Sequence, residues 1–289
     1  METSELLKKV RTIEIKTRGL SNQIFSGEYH SAFKGRGMAF SENREYQHGD
    51  EIRDIDWNVT ARMGHPYVKI YEEERELTVV LMIDVSASQS FGSREQLKKN
   101  LITELTAVLA FSAIQNNDKI GVLFFSDRVE KFIPPKKGRS HILRIIRELL
   151  DFEPEGRGTD ISCALDYFNG VVKKRCIGFV ISDWLDDNYS KELRIANRKH
   201  DIVGIRVHDK LESELPNVGL VQIEDPETGK VNWINTGSKK LRKKYALKAM
   251  KHDKETQLTL QRCGVDMVSI ATDQNYVGPL MKLFKMRGA

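Results

Sequence analysis

The sequence has few cysteines and no long apolar run. Its 289 residues contain three cysteines, Cys163, Cys176 and Cys263, which form no CxxC pair. This odd, widely spaced set excludes a disulfide framework and favours a reducing compartment. The longest apolar runs, such as Val79–Ile83, are far shorter than the roughly 20 residues of a membrane helix. The start, METSELLKKV, is not typical of a secretory signal. We therefore expect a cytoplasmic protein.

Several catalytic motifs are also missing. The absence of GxxxxGK[ST] excludes a P-loop ATPase, and the absence of GxSxG argues against a serine hydrolase. The loop that contains Gly156 and Gly158 has no third glycine and follows no strand-like run, so dinucleotide binding is not expected. The seven histidines show no metal-binding spacing. We predict no catalytic residue, and a metal-dependent hydrolase is kept as an alternative.

Positive charge is concentrated near the end of the chain. The formal charge is +5 overall, but residues 236–289 contain 12 basic and 4 acidic residues, which gives +8. Much of this excess lies in a predicted helix around Lys239–Lys254. It is interpreted as a solvated helix face, or as a docking surface for an acidic protein or an anionic lipid. With Tyr245 as its one aromatic residue, nucleic acid is not an expected partner, and any membrane contact is expected to be peripheral.

Residues 77–289 alternate between strand-like and helical patterns, which predicts an α/β fold with a doubly wound, mostly parallel sheet. A helix over 91–116 and a hairpin over 219–234 are part of this prediction. Residues 1–76 are rich in glycine, charge and aromatics, and we expect them to form an extension that packs on the main domain. The apolar runs of strand length are 77–83, 119–125, 176–181, 202–207 and 265–270.

Oxygen-bearing side chains follow the ends of the predicted strands. Asp84, Ser86 and Ser88 form a DxSxS string directly after one strand, and Asp183 directly follows another. Thr159 lies in a glycine-rich loop. Ligand sites in such sheets lie beyond the carboxyl ends of the strands, so these loops are expected to converge. Carboxylates and hydroxyls are hard ligands, which suit Mg²⁺, Mn²⁺ or Ca²⁺ better than a zinc thiolate site.

Each of these side chains also has a purely structural interpretation. The DxSxS string could cap a helix, with its hydroxyls accepting from free amides. Thr159 and Asp160 could cap the helix that follows them. Asp186 and Asp187 are interpreted as solvated turn acids.

A charged block precedes the DxSxS string over residues 42–62, with the sequence ENREYQHGDEIRDIDWNVTAR. It is interpreted as a salt-bridge network that fixes the extension, or as a surface for a partner. The tryptophan is interpreted as a packing anchor. The residues of interest are Arg44, Tyr46, Asp50, Arg53, Asp56, Trp57 and Arg62.

These motifs resemble a known family. The set Asp84, Ser86, Ser88, Thr159 and Asp183 resembles the metal-ion-dependent adhesion site of the von Willebrand factor A fold. The upstream pattern R-x-Y-x-x-G-D-x-x-R-x-I-D-W-x-x-x-A-R, followed by DxSxS, is similar to a large bacterial family of uncharacterised von Willebrand A-like proteins associated with MoxR ATPases. The resemblance covers about residues 20–280.

The resemblance implies a site and a role. The two serines and the threonine would coordinate a divalent ion, the aspartates would act directly or through water, and an acidic side chain of a partner would complete the coordination. It also implies an adaptor that works with a MoxR-type AAA+ ATPase in the maturation or assembly of client proteins. Two departures are Gln89 and Ser90 after the second serine, where many members have a methionine, and the lack of two initial membrane helices.

Overall fold

A computed structural model describes residues 38–73, 77–90, 98–224 and 231–288. The helix predicted for the first 18 residues, the capping box of Ser93 and Gln96, and the turn at Pro226–Gly229 lie outside the described residues. The chain divides into two compact units, and the division falls between Leu77 and Thr78. The predicted packing of residues 1–76 on the main domain stays a prediction.

The smaller unit contains an antiparallel strand pair that the sequence analysis did not predict. Strand β1 (Met38–Glu45) pairs with β2 (Tyr67–Glu73). The sequences MAFSENRE and YVKIYEE are rich in charged residues. They lack the apolar run that predicts a buried strand, which is why this pair was missed.

The connection between these strands contains a 3-10 turn, Ile52–Asp54, and a short helix α1 (Trp57–Met63). Asp56 caps α1 by accepting from two backbone amides of its first turn. The helix ends at Gly64, whose φ of 76° lies in the left-handed region. A residue without Cβ adopts this conformation at little cost, and the chain can turn there into β2.

In the larger unit, six of the described strands form one central sheet in the order β10-β7-β6-β3-β4-β5. All neighbouring pairs are parallel except β4 with β5, which is antiparallel. The predicted doubly wound, mostly parallel α/β fold is confirmed. The strands are β3 (Thr78–Asp84), β4 (Lys119–Phe125), β5 (Val129–Lys136), β6 (Ile177–Ser182), β7 (Asp201–His208) and β10 (Asp266–Ala271).

The remaining elements of this unit connect or flank the strands. The predicted hairpin is confirmed as β8 (Leu220–Glu224) and β9 (Val231–Asn235). A one-turn helix after β7 was not predicted, since four residues are too few for a periodic pattern. The helices are α2 (Lys98–Gln115), α3 (Arg139–Asp151), α4 (Ile161–Val171), α5 (Ser190–Lys199), α6 (Lys210–Ser213), α7 (Lys239–Arg262) and α8 (Val277–Gly288).

The core lies on both faces of the sheet. Residues Val79–Ile83 of β3 are each at most 1% exposed, and the apolar side chains of Ile177–Ile181 in β6 are each at most 4% exposed. Strands covered on both faces read as continuous apolar runs, so they were predictable from the sequence. Full burial of a side chain such as Leu81 contributes about 1.5–3 kcal/mol.

Strand β5 continues through Pro134 and Pro135 to Lys136, although two successive prolines are typical of the end of a strand. Proline has no N–H for a sheet ladder, but β5 lies at the edge, where fewer donors are needed. Pro135 also packs over Gly121 of β4, where an added Cβ would come within 2.8 Å of the proline Cγ.

Helix α7 is largely exposed, with Thr256 and Leu260 as its buried residues. Its lysines face solvent, as expected for a solvated helix face. Within the described parts of the chain, no helix combines the length and the apolar character that crossing a membrane requires.

Candidate metal-binding site

The candidate site lies where the strand order of the sheet reverses direction. Strands β3 and β6 are neighbours, although β4 and β5 come between them in sequence. Such a switch point leaves a crevice beyond the carboxyl ends of the two strands, which is where ligands bind in open α/β sheets. Asp84 ends β3, Ser182 ends β6, and Asp183 follows directly.

The Asp84 carboxylate organises the loop after β3. Its Oδ1 accepts from the backbone amide of Ser86 at 2.9 Å. Its Oδ2 accepts from the Ser182 hydroxyl at 2.6 Å and from Gln89 Nε2 at 3.1 Å. The ends of the two strands are therefore joined through one buried carboxylate.

Asp183 receives hydrogen bonds from the same loop. Its Oδ2 accepts from the Ser88 hydroxyl at 2.8 Å and from Gln89 Nε2 at 3.4 Å. The hydroxyl oxygens of Ser86 and Ser88 are 3.0 Å apart. Among the described residues, these hydroxyls bond to side chains and to no helix amide, which favours ligand positions over capping for the two serines. Because Ser88 donates its proton to a carboxylate, its oxygen is an acceptor towards its other neighbours: Gln89 Nε2 donates to it at 3.3 Å, and a cation would have to replace such donors.

Burial changes the acidity of Asp84. Desolvation and, after it, the nearby charge of Asp183 raise the pKa of the Asp84 carboxyl to about 7, although hydrogen bonds from Ser182 and Ser86 oppose the shift. Both aspartates are 1% exposed. A pair of buried carboxylates favours binding of a positive charge between or beside them, because a cation compensates their buried negative charge and the repulsion between them.

One positive charge in the site comes from the protein itself. The Lys98 ammonium, at the start of α2, lies 3.0 Å from Asp183 Oδ2 and also pairs with the carboxylate of Glu212 on α6. The Lys98 side chain is 1% exposed. Burial lowers the pKa of Lys98, but Asp183 and Glu212 together raise it by more, so its pKa lies above the ordinary value.

The glycine-rich loop is fastened beside these residues. The Ala87 amide donates to the Arg157 carbonyl at 3.1 Å, which joins this loop to the DxSxS loop. The Glu130 carboxylate accepts from the Gly156 amide at 2.8 Å and from the Ser126 hydroxyl at 2.6 Å. A Cβ on Gly156 would come within 2.2 Å of the Ser126 hydroxyl oxygen, so the close approach requires glycine.

Thr159 lies two residues beyond Arg157. Its hydroxyl oxygen is buried and has no hydrogen-bond partner among the described residues. The capping interpretation therefore does not hold for Thr159. An unpartnered buried hydroxyl costs stability, which suggests that something outside the chain satisfies it.

The neighbouring aspartates have structural roles. Asp160 caps α4 as predicted, because its carboxylate accepts from the Cys163 amide at 2.9 Å. Asp186 was interpreted as a solvated turn acid, which is wrong: it accepts from the Ile161 amide at 2.9 Å and so fastens the start of α4. Asp187 is exposed, as expected.

The backbone after Asp183 is strained. Trp184 has a φ of 61°, in a region that bulky residues rarely adopt, and its side chain is completely buried. The Trp184 amide donates to the Ser182 hydroxyl at 3.1 Å, and its carbonyl lies 3.0 Å from Nε2 of His252 on α7. Such a conformation costs about 1–3 kcal/mol and persists where its surroundings determine it, often at functional sites.

The donor set fits a hard divalent cation. Within the described ranges, no three His, Cys, Asp or Glu side chains are grouped in a way that could hold a metal ion. A cation here would therefore depend on two carboxylates and three hydroxyls, a set that suits Mg²⁺ or a similar ion. Four of the five predicted residues, Asp84, Ser86, Ser88 and Asp183, are joined by hydrogen bonds. The fifth, Thr159, has a buried hydroxyl without a hydrogen-bond partner among the described residues, as expected of a metal-binding oxygen.

The charged block 42–62 lies in the smaller unit. Arg44 donates twice to the carboxylate of Asp50, at 2.7 and 2.8 Å, and this guanidinium holds the pKa of Asp50 below its ordinary value. Asp56 is a helix cap, and Arg53 pairs with Glu51 on the surface. These contacts agree with a structural network.

Other residues of the block are less engaged. Trp57 is 66% exposed, so its interpretation as a packing anchor is wrong for the described residues. Arg62 is exposed, and Tyr46 is half-buried, with its amide donating to the Pro66 carbonyl at 2.8 Å.

Four residues of the site were missed by sequence reasoning. Ser182 precedes Asp183 at the end of an apolar run, so its position was a usable signal. Gln89 follows the DxSxS string directly and was noted only as a departure from the family pattern. Lys98 lies in the charged first turn of α2, next to Lys99, and Glu212 lies on the four-residue helix α6, so nothing in their local sequence indicates burial.

A family model covers most of this chain. The model described as "Protein of unknown function DUF58" matches residues 42–255. The chain belongs to the DUF58 family. This range includes the charged block and all five candidate ligands, so the residues on which the resemblance was based lie inside the matched region.

Two relatives have sequences similar to this chain. The uncharacterized protein Rv1480 of Mycobacterium tuberculosis is 29% identical over 290 residues, which cover 99% of this chain and 91% of the relative. The uncharacterized protein YeaD of Bacillus subtilis is 24% identical over 106 residues, which cover 37% of this chain and 24% of that protein.

Two solved structures show how distant the structural likenesses are. BatB from Bacteroides thetaiotaomicron has a TM-score of 0.46 and 15% identity, covering 73% of this chain and 96% of that chain. The VWA domain of SpRpn10 has a TM-score of 0.38 and 12% identity, covering 72% and 93%. Scores at this level say nothing about the function of the DUF58 protein.

Proposed function

We propose that this DUF58 protein is an adaptor that uses a divalent cation to hold an acidic side chain of a protein partner. The observation that carries the proposal is the buried cluster at the switch point of the sheet. There, Asp84 and Asp183, at the ends of two neighbouring strands, both accept from Gln89 Nε2, and Asp183 also accepts from Ser88. The loop of the unpartnered Thr159 hydroxyl is joined to the same loop through Ala87 and Arg157. When bound, the cation would supply a positive centre for an external carboxylate.

The chemistry of the donors supports this role. Three of the five candidate ligands are neutral hydroxyls, which leave much of the charge of a divalent ion uncompensated. Asp84 and Asp183 already accept hydrogen bonds from the chain, which holds them in place before an ion arrives. We infer Mg²⁺ as the ion, with Mn²⁺ or Ca²⁺ as alternatives.

The partner is inferred from the family resemblance. We propose a MoxR-type AAA+ ATPase, with the pair acting in the cytoplasm on the maturation or assembly of client proteins. The free thiols of Cys163, Cys176 and Cys263 are compatible with a reducing compartment. The exposed lysines of α7 offer a second surface for an acidic partner.

Isothermal titration with Mg²⁺ and Mn²⁺ tests the ion. We expect the wild-type chain to bind, and Ser88→Ala to bind at least about tenfold more weakly because one donor is lost. Ser112→Ala is the matched control, since Ser112 is also a buried serine, 14 residues after the start of α2 and outside the site. Absence of any ion-dependent heat in the wild type would contradict the proposal.

Binding to a purified MoxR-type ATPase tests the partner. We expect association in Mg²⁺, loss of association in EDTA, and loss in Ser88→Ala but not in Ser112→Ala. Association that is equal in Mg²⁺ and EDTA would exclude the cation as the link. Metal-dependent turnover of a phosphoester by the wild-type chain would favour the hydrolase alternative.

A further inference from the structure

Lys98 is a buried cation in contact with one of the candidate metal ligands. Its ammonium lies 3.0 Å from Asp183 Oδ2 and pairs with Glu212, and its side chain is 1% exposed. Burying a charged lysine is costly unless it is paired and hydrogen-bonded. The position of this ammonium therefore depends on the two carboxylates that hold it.

The three charged groups are contributed by separate parts of the fold. Lys98 begins α2, Asp183 follows β6, and Glu212 lies on α6 after β7. Helix α6 is fixed by Asp209, whose carboxylate accepts from the Leu211 amide at 2.9 Å and from the Thr272 hydroxyl at 2.7 Å. Glu212 is therefore on a fastened turn and keeps its place beside the ammonium.

The ammonium changes the charge that a divalent cation meets. With all carboxylates ionised, Asp84, Asp183 and Glu212 give −3 and Lys98 reduces this to −2. A divalent cation then makes the cluster neutral, whereas without the lysine the loaded cluster would keep a charge of −1. A neutral cluster repels an incoming carboxylate less than a negative one does.

We propose that Lys98 sets the affinity of the site for its ligands. Its ammonium competes with the divalent cation for Asp183, and Glu212 is the second carboxylate that holds it. Lys98 weakens binding of the cation alone and strengthens binding of an external carboxylate to the loaded site. The cation and the external carboxylate thus increase each other's affinity, and by linkage the factor is the same in both directions. This inference rests on the proposed function and specifies how its site is regulated.

The first measurement is the affinity for Mn²⁺ and Mg²⁺ by isothermal titration of the full chain. We expect Lys98→Met to bind about tenfold more tightly than the wild type, because repulsion is removed. We expect Glu212→Gln to bind about tenfold more weakly, because the ammonium is then held by Asp183 alone. Lys99→Met is the matched control and should match the wild type, since Lys99 donates only to the Phe152 carbonyl in the described structure.

The second measurement repeats the Mn²⁺ titrations with sodium acetate in place of sodium chloride. Acetate should raise the Mn²⁺ affinity of the wild type by a larger factor than that of Lys98→Met. Equal factors in the two proteins would overturn the coupling. Thermal melts without metal verify that each variant is folded.

The outcomes separate this inference from the proposed function. If the wild type binds no divalent cation, the proposed function fails and this inference fails with it. If the wild type binds but Lys98→Met binds equally or more weakly, only this inference is overturned. If Lys98→Met does not fold, Glu212→Gln decides alone, and an affinity equal to or above that of the wild type overturns the inference.

Discussion

Buried polar groups lie at both ends of strand β6, and they differ in charge. At the amino end, Cys176 Sγ lies 3.4 Å from His200 Nδ1, and both residues are buried. Burial raises the pKa of this thiol to about 12 and lowers the pKa of the imidazole to about 4, so the pair is neutral at pH 7. At the carboxyl end, Asp183 has an ammonium as its partner.

This difference in charge distinguishes a structural polar pair from a candidate ligand-binding site. A buried pair that becomes neutral needs no ligand, and the ring of Phe168 packs against His200 with 4.6 Å between ring centroids. A buried charged cluster must be compensated, and at the switch point of a sheet it is open to compensation by a ligand. Burial of polar atoms alone would not have distinguished the two.

The largest expected effect is at the carboxyl end. Asp183→Ala leaves the buried ammonium of Lys98 with Glu212 as its remaining partner and should destabilise the fold by about 3–5 kcal/mol. Urea unfolding without metal measures this. Asp187→Ala, at an exposed acid nearby, should change the free energy of unfolding by less than about 0.5 kcal/mol. Similar changes in the free energy of unfolding for both variants would show that the carboxyl end of β6 does not depend on a buried charged pair.

The His200 imidazole at the amino end of β6 should make the stability of the fold sensitive to acid. The pKa of His200 falls from 6.5 in the unfolded chain to about 4 in the fold, through burial and then the charges of Lys199 and Arg175. The folded state therefore binds this proton less tightly, and stability is lost as the pH falls from 6.5 towards 4, by up to about 3 kcal/mol.

Urea unfolding across this pH range measures the contribution of the imidazole. His200→Gln should lose less stability on acidification than the wild type does, whatever its stability at pH 7. His48→Gln, at an exposed histidine, should follow the wild-type curve. A His200→Gln curve parallel to the wild type would show that the buried pair does not determine acid sensitivity.

The glycine-rich loop allows a matched test of position. Gly156→Ala places a Cβ 2.2 Å from Ser126 and Asp127 oxygens, so the loop must move, at a cost of about 2 kcal/mol. Gly158→Ala meets Asp127 Cβ at an ordinary 3.6 Å and should be nearly neutral. Gly156→Ala should lower both the melting temperature and the Mn²⁺ affinity, because Thr159 moves with the loop, whereas Gly158→Ala should change neither. Equal effects of the two alanines would mean that the close approach is unimportant.

The smallest expected effect has an unusual sign. Thr159→Val removes a buried hydroxyl that has no partner among the described residues, with little change in shape. Without metal, it should stabilise the chain by up to about 1 kcal/mol. In the same protein, Mn²⁺ affinity should fall. A loss of stability without metal would mean that the hydroxyl is already satisfied in the free chain.

Much of the sheet and most of the site could be predicted for one common reason. Buried parallel strands are continuous apolar runs, so the ends of the runs at Ile83 and Ile181 located Asp84, Ser86 and Asp183. What could not be predicted depends on contacts between distant residues. Lys98 meets Asp183 across 85 positions, and its local sequence resembles any solvated helix start.

The smaller unit shows a second limit. Its strands pair through the backbone, and six of their fifteen residues are charged, so they form no continuous apolar run. The helix α1 depends on Asp56 as a cap, which the sequence analysis interpreted as part of an ion network. A cap can be predicted where a helical pattern follows it, as for Asp160 and α4, but α1 has seven residues and gives no such pattern.

The prolines of β5 also affect how this protein can assemble. Pro134 and Pro135 remove two successive backbone donors from the outer strand of the described sheet. A strand from another molecule would find no complete ladder to join there, which protects the sheet from edge-to-edge aggregation. Growth of the sheet at the β5 edge is therefore disfavoured, and contacts of this edge with other chains would be made by side chains and loops.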